Sequence, residues 1–277
     1  MSEPAKSWGS SYRLVAAEKW KAKSAAMGRA VTEALVEYAR PTAGMQVLDV
    51  ASGTGEPAIS LGERVGPAGH VSGLDLSADL LEIATRRAQQ RGLGNVSFHQ
   101  GDAHKLPFAN ETFDLATCRF GVMFFADVKQ ALRELHRVLK PGARACFAAW
   151  GPFEQPYWQS TMGLVVKHVG GPALAPGGED PFRFASPGSL SNSLRAAGFS
   201  AVEQGIEKLA WGWPGDPAEL WEYARSVSVP FRALLDRVPA EKWPAINAEV
   251  ISAVSKYADD EGVHFQAEVV MASAKKS

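Results

Sequence analysis

An α/β fold, a doubly wound and mostly parallel sheet, is what the sequence predicts, and three observations predict it. Short apolar runs alternate with helical patterns between Met45 and Trp150. Acidic and glycine-rich turns sit just after those runs, where the carboxyl ends of parallel strands hold ligands. The chain of 277 residues, 46% hydrophobic and 21% charged, is long enough for one large core without disulfide or metal support. Strands separated by helical patterns imply βαβ units and a sheet covered on both faces.

The elements follow in order. From Tyr12 to Arg40 the pattern is helical, with Val31, Leu35 and Tyr38 on one stripe and Pro41 as the stop. Residues 45–50 read as a strand and 56–65 as a helix, with Pro57 in its first turn. Residues 71–76 form the next strand, and 78–90 a helix capped by Ser77 with Leu80, Leu81 and Ala84 facing inward. Further strands are expected at 96–100, 113–118 and 143–150, with a helix at 128–139 between the last two. After Trp150 the composition changes: six of the 8 tryptophans and 11 of the 17 prolines lie from there onward. Strands at 201–211 and 264–274, with helical material between, complete a single domain. Within it, residues 1–40 form a helical cover, 41–150 the ligand-binding core, and 151–186 with 212–262 lid insertions.

Lys+Arg 29 against Asp+Glu 30 gives a net charge of −1, which argues against nucleic acid or an anionic membrane as the main partner. Cys118 and Cys146 lie in apolar runs and read as buried filler. No run of ~18 apolar residues predicts a membrane span. The opening MSEPAKSWGS has no apolar stretch of signal-peptide length, so the expected location is cytoplasmic. The oligomeric state is not legible, and no metal-ligand spacing stands out.

The strand ends carry the chemistry. The first runs Asp49-Val50-Ala51-Ser52-Gly53-Thr54-Gly55-Glu56, where Gly53 and Gly55 allow a tight turn and close ligand approach. Residues 53–58 also satisfy the loose dinucleotide pattern, which leaves an NAD-dependent oxidoreductase open. Glu56, however, would repel a pyrophosphate at the helix N-terminus, and Asp49 favours a cationic ligand such as an ammonium. The second strand ends in Asp75-Leu76, 20 positions after Gly55, the spacing for a carboxylate that accepts from ribose hydroxyls. Asp102-Ala103 at the third strand suits an adenine amino group and ring face. Arg119 at the fourth would pass beneath the reactive part of the ligand.

These residues resemble the class I S-adenosylmethionine-dependent methyltransferases, from VLDVASGTGEPA through GLDLS, GDAHKLPF and FDLATCRFGVMFFAD to ELHRVLKPGARACFAAW. The resemblance implies a Rossmann-like sheet whose last strand, AEVVMASAKK, runs antiparallel, with S-adenosyl-L-methionine as cofactor. Asp49, Ala51, Ser52, Gly53 and Gly55 would then hold the methionine moiety, Asp75 with Leu76 the ribose, and Asp102 with Ala103 the adenine. Ala51 stands where many members carry glycine, which implies a slightly wider turn. Within that class, the chain is most similar to the ubiquinone/menaquinone-biosynthesis C-methyltransferases. Those enzymes typically carry arginine and asparagine where this chain has Met123 and Phe124, so the resemblance carries the fold and cofactor here, not the quinone.

The expected activity is methyl transfer to oxygen or carbon of a small aromatic or apolar acceptor. A non-methylating, cyclase-like use of the same cofactor is the alternative. Arg119 orients an anionic substrate or the cofactor carboxylate, unless it pairs with Asp127 or Glu134. His168 is the candidate base on a lid helix, ahead of His104, while His136 reads as structural. Tyr12 and Trp20 either cover the cofactor or simply pack.

Overall fold

The computed structural model describes residues 19–277, and Tyr12 lies outside them. Seven strands form the body of the sheet: β1 (Gln46–Val50), β2 (His70–Asp75), β3 (Val96–Gln100), β4 (Phe113–Arg119), β5 (Leu139–Trp150), β6 (Phe199–Trp213) and β8 (Gly262–Lys276). A two-residue strand, β7 (Ala258–Asp259), hairpins onto β8. The order is β3-β2-β1-β4-β5-β8-β6, parallel from β3 to β5 and antiparallel where β8 enters between β5 and β6. Successive strands run outward from β1 in one direction and from β4 in the other. The crevice at the carboxyl ends of β1 and β4 is therefore the switch point at which such sheets bind ligands.

The predicted parallel core and antiparallel last strand are both present. Val47, Leu48, Val71, Leu115, Ala116 and Phe147 are fully or almost fully buried, as a sheet covered on both faces requires. One cover is α3 (Ala58–Val65) and α4 (Ala78–Gln90), and Ser77 caps α4 by accepting from the Leu80 N–H at 3.3 Å. The other includes α5 (Val128–Val138), whose first turn is capped by Asp127.

Several boundaries differ from the expected ones for local reasons. The N-terminal helix is broken into α1 (Lys21–Met27) and α2 (Arg29–Ala39) at Gly28. A Cβ on Gly28 would sit 2.8 Å from Arg119 Nη1, so the break leaves room for that guanidinium. Helix α3 starts at Ala58 and not at Glu56, because the Glu56 carboxylate turns forward to accept from the Ser60 hydroxyl at 2.7 Å. Strand β5 begins at Leu139, which pairs with Phe113 across a bulge, before Gly142 adopts φ +78°. Strands β6 and β8 run 15 residues each, longer than predicted, because Gly212 and Trp213 continue the pairing with His264 and Val263.

Beyond β5, the chain forms a short helix, Pro156–Trp158, a wide turn and α6 (Leu164–Val169). Helix α7 (Ser189–Ala196) precedes β6. Helices α8 (Pro217–Val227), α9 (Arg232–Leu235) and α10 (Trp243–Ser255) lie between β6 and β8. Helix α1 and the preceding Lys19 are tied to α8 by the ion pairs Lys19–Glu222 and Lys23–Glu219. Trp20 is buried with its ring 5.5 Å from that of Trp213, so it packs and does not line the cavity described next. Among the described residues no helix is long and apolar enough to cross a membrane.

Candidate active site

A cavity of about 420 Å³ opens over the switch point. One half of its wall comes from the turns after β1, β2 and β3, and the other from the end of β4, Trp150 and the lid aromatics. Ala51, Ser52, Gly53, Asp75, Leu76, Asp102, Ala103 and Arg119 all face it. Asp49 and Gly55 lie behind the wall. Gly55 has φ +109°, and a Cβ there would strike Ile59 at 2.7 Å and Ala84 at 3.2 Å, so its role is to let α3 and α4 close on the loop.

Asp75 organises the loop. Its Oδ2 accepts from the Gly53 N–H at 2.8 Å and its Oδ1 from the Ser77 N–H at 3.0 Å. Each carboxylate oxygen retains a lone-pair direction for a further donor. Beside it Leu76 is 45% exposed, a large apolar side chain left open at the cavity rim. Gly53 has φ +51°, with open space where its Cβ would point. Backbone that a ligand can approach, a carboxylate with spare acceptor capacity and an uncovered apolar side chain fit an adenosyl group bearing a ribose diol.

Asp102 is held by its neighbour. Its Oδ1 accepts from the His104 backbone N–H at 2.9 Å and lies 2.5 Å from His104 Nδ1. Burial opposes ionisation there, but the two bonds from His104 outweigh it and hold the Asp102 carboxyl below its usual range. Asp102 Oδ2 makes no bond within the described residues. His104 Nε2 accepts from the Asp127 N–H at 3.1 Å, so its second nitrogen is committed to the cap of α5. That removes His104 as a base and makes it a strut between the adenine-side turn and α5.

Asp49 is fully buried. Its Oδ1 accepts from the Thr117 hydroxyl at 2.7 Å, across the β1–β4 pair, while Oδ2 is sealed without a partner. Burial raises its pKa to about 7, against the Thr117 bond and the Arg119 charge, which lower it. The Arg119 guanidinium is not paired with Asp127 or Glu134. Its Nη1 donates to Thr32 Oγ1 at 2.7 Å and to Gly28 O at 3.2 Å, and Nε is sealed without a partner. No carboxylate lies within ion-pair distance among the described residues, and burial lowers its pKa.

Ala51 takes φ +59°, a left-handed conformation usually reserved for glycine. The wider turn expected from its methyl group is replaced by a local fit: a Cβ on Gly121 would lie 2.4 Å from Ala51 Cβ. The missing side chain at 121 makes room for the extra one at 51.

His168 is corrected. It does not line the cavity; its Nε2 sits 2.6 Å from Glu249 Oε2, pinning α6 to α10. Its spacing was free in sequence, but the partner 81 positions away was not visible there. His136 packs edge-on against Phe199, a structural place as expected. Both cysteines are buried and free, and burial pushes the Cys146 thiol up to about 12. The tryptophans of the insertions stand out in the sequence, but Tyr157 and Phe231 do not. Tyr157, 3% exposed, lies with its ring nearly parallel to Trp150 at 6.4 Å, and Trp158 stacks on Phe231 at 5.3 Å. Phe120 stacks on Trp150 at 4.6 Å. These rings come from separate segments, so no spacing pattern announces them.

A switch-point cavity with a glycine turn, a carboxylate with spare acceptor capacity and an aromatic far wall fits a Rossmann-like enzyme that takes a nucleoside cofactor. The chain belongs to the ubiE/COQ5 methyltransferase family, whose sequence profile matches residues 21–170. A demethylmenaquinone methyltransferase of Thermus thermophilus is 38% identical over 177 residues, which are 60% of this chain and 79% of the relative. One from Listeria welshimeri is 39% identical over 127 residues, 46% of this chain. The match spans only about half, 53%, of the Listeria relative's length. The crystal structure of the [4+2]-cyclase SpnF superposes with a TM-score of 0.53 at 23% identity, covering 89% of this chain and 80% of that one. At that identity the likeness is one of fold.

Two outcomes test this geometry. Asp49 carries a folded pKa of about 7, above its ordinary value of 3.8, so folding favours its protonated form. Its contribution to stability is full below pH ~4 and is lost as pH rises through ~7. Urea unfolding of wild type and Asp49→Asn should therefore agree most closely near pH 4, with wild type falling behind by up to roughly 4 kcal/mol by pH 8. A constant difference across that range would contradict the buried carboxylate. Gly121 has φ −107°, acceptable to alanine, so Gly121→Ala should cost ~1–3 kcal/mol through the clash alone. Ala51→Gly should restore part of that loss in the double variant, because Cys118 Sγ, 2.9 Å from the same Cβ, stays in place, and simple additivity would refute the fit.

Proposed function

We propose that this protein transfers a methyl group from S-adenosyl-L-methionine to oxygen or carbon of a small, flat, largely apolar acceptor. The observation that carries it is the division of one cavity into two halves. The adenosyl-compatible half is made by Gly53, Asp75, Leu76 and Ala103, and the aromatic half by Phe120, Trp150, Trp158 and Phe231. When bound, the cofactor supplies an electrophilic methyl group on a sulfonium, and the chain's residues bind, align and exclude water. Asp75 takes the ribose diol. Asp102 Oδ2 and the Ala103 methyl face the adenine. Ser52, Gly53 and the turn over Asp49 receive the methionine moiety, whose ammonium is drawn by the buried Asp49 charge. Alignment in a closed cavity is worth roughly 7–11 kcal/mol at its extreme, which explains how such a site works without a fixed catalytic signature.

Demethylmenaquinone is named for the relatives, and a quinol is flat and apolar enough for the aromatic half. Met123 and Phe124 supply no polar partners for its oxygens, which favours a different acceptor of similar shape. The SpnF fold likeness keeps the cyclase alternative as a product test: only methyl transfer yields S-adenosylhomocysteine in proportion to product. The chemistry needs only a soluble acceptor, and a cytoplasmic location suits the two free thiols.

The test is calorimetric titration of S-adenosylmethionine, S-adenosylhomocysteine and NAD. The sulfur ligands should bind and NAD should not; the reverse would end the methyltransferase reading. Asp75→Ala should weaken the sulfur ligands by ~1–3 kcal/mol, the cost of unmade bonds at a buried polar site. Unchanged affinity would remove Asp75 from the ribose subsite.

A further inference from the structure

Polar groups also line the cavity beside its aromatic half. Tyr157 is buried, yet its hydroxyl makes no hydrogen bond within the described residues and is not sealed off from the cavity that the residue lines. Its ring is fixed on several sides: Trp158 at 4.8 Å, Phe265 at 5.6 Å and Trp211 at 6.1 Å, besides Trp150. That phenol cannot swing away to find water. Arg119 has Nη1 tied to Gly28 and Thr32 and Nε sealed, which leaves Nη2, with no bond among the described residues, as its open donor toward the same cavity. The Tyr223 phenol, another residue of the wall, is near enough to act electrostatically on both Arg119 and Tyr157, so the three share one neighbourhood.

Acceptors of a proton are scarce there. Glu56 is the lining carboxylate nearest in charge to Arg119, but it accepts from Ser60 and lies 3.7 Å from Arg87. Asp49 lies behind the wall. His104 and His168 are committed elsewhere. Burial pushes the Tyr157 phenol above its ordinary value, so it holds its proton and donates.

We propose that Arg119 Nη2 and the Tyr157 hydroxyl form an oxyanion subsite for the methyl acceptor, which is a flat phenol or enol that binds and reacts as its anion. The inference rests on the methyltransferase reading and adds to it the acceptor's chemical class. The acceptor's proton passes to water on binding, with no protein base. The anion's electron pair, on oxygen or on the conjugated ring or enol carbon, forms the bond to the methyl carbon. The carbon–sulfur pair withdraws onto sulfur, so anion and sulfonium become two neutral products. A ring carbon that has been methylated releases its own proton to water as conjugation is restored. A preorganised donor pair beside a fixed cation stabilises such an anion before transfer, and it does so without the cofactor. Tyr157 and Arg119 are thus catalytic residues by contact with the acceptor.

The experiment is a spectroscopic pH titration of 7-hydroxycoumarin, whose phenol and phenolate absorb at different wavelengths, with the full-length protein alone and with S-adenosylhomocysteine. Bound dye should ionise at least one pH unit below free dye, a tenfold or greater preference for the phenolate. Tyr157→Phe, which keeps the ring, and Arg119→Met should each erase most of that shift. Arg119→Lys should restore part of it, and far-UV circular dichroism should show all variants folded. Dye bound with its ionisation unmoved or raised, as burial alone would cause, overturns the oxyanion subsite. So does failure to take up dye when S-adenosylhomocysteine binds. If S-adenosylhomocysteine itself does not bind, the methyltransferase reading falls first, and the calorimetry above shows which of the two has failed.

Discussion

Two opposite charges at the switch point, Asp49 fully buried and Arg119 half-buried, set the terms for the residues around them. Asp49 ends β1 and Arg119 ends β4, the two strands from which the sheet winds in opposite directions. Each charge costs several kcal/mol to remove from water, and neither is offset by a salt bridge within the described residues. What holds them is partial: a single Thr117 hydroxyl for Asp49, and a hydroxyl and a carbonyl for Arg119. A fold optimised for stability would replace both. Groups compensated only at a distance, in a crevice, mark a place where a ligand can complete the electrostatics.

Geometry at the switch point follows from that constraint. The helix break at Gly28 exists where Arg119 needs room, and the β1–β4 register sets Thr117 beside Asp49. The glycine turn above Asp49 is fastened from the far side, by Asp75 accepting from Gly53. His104 plays the same part for the third turn, bridging Asp102 and the Asp127 N–H. Two turns, after β1 and after β3, are thus each tied by a charged or aromatic side chain, which is how a ligand site becomes preorganised without being rigid throughout.

The turn-built half of the cavity wall was legible in sequence because its residues sit within a few positions of strand ends, where period and spacing fix their direction. Asp75, Leu76 and Ala103 reach the cavity for that reason. The strand-end rule cannot separate lining from support, so Gly55 reads like Gly53 although it serves helix packing. Lone histidines fared differently. His168 has no local partner in sequence, and its Glu249 lies on another helix 81 positions away. The Ala51–Gly121 fit was hidden for the same reason: it joins two turns 70 residues apart through an absent side chain.

The acceptor half has a different logic. Phe120, Trp150, Tyr157, Trp211 and Phe231 are brought together by the sheet's closure on β6 and β8 and by helices that follow no periodic rule shared between them. Their ring contacts form one network around Trp150, so a change in any ring alters the shape offered to the acceptor while leaving Gly53 and Asp75 untouched. On the proposed function, cofactor binding rests on short turns locked to a parallel sheet, and acceptor choice on long-range packing that can be rebuilt without disturbing those turns. The family match over residues 21–170 takes in the turns and the near part of the aromatic wall up to Trp158, while Trp211 and Phe231 lie beyond it. On that reading, specificity falls to the segments that the sequence pattern describes least.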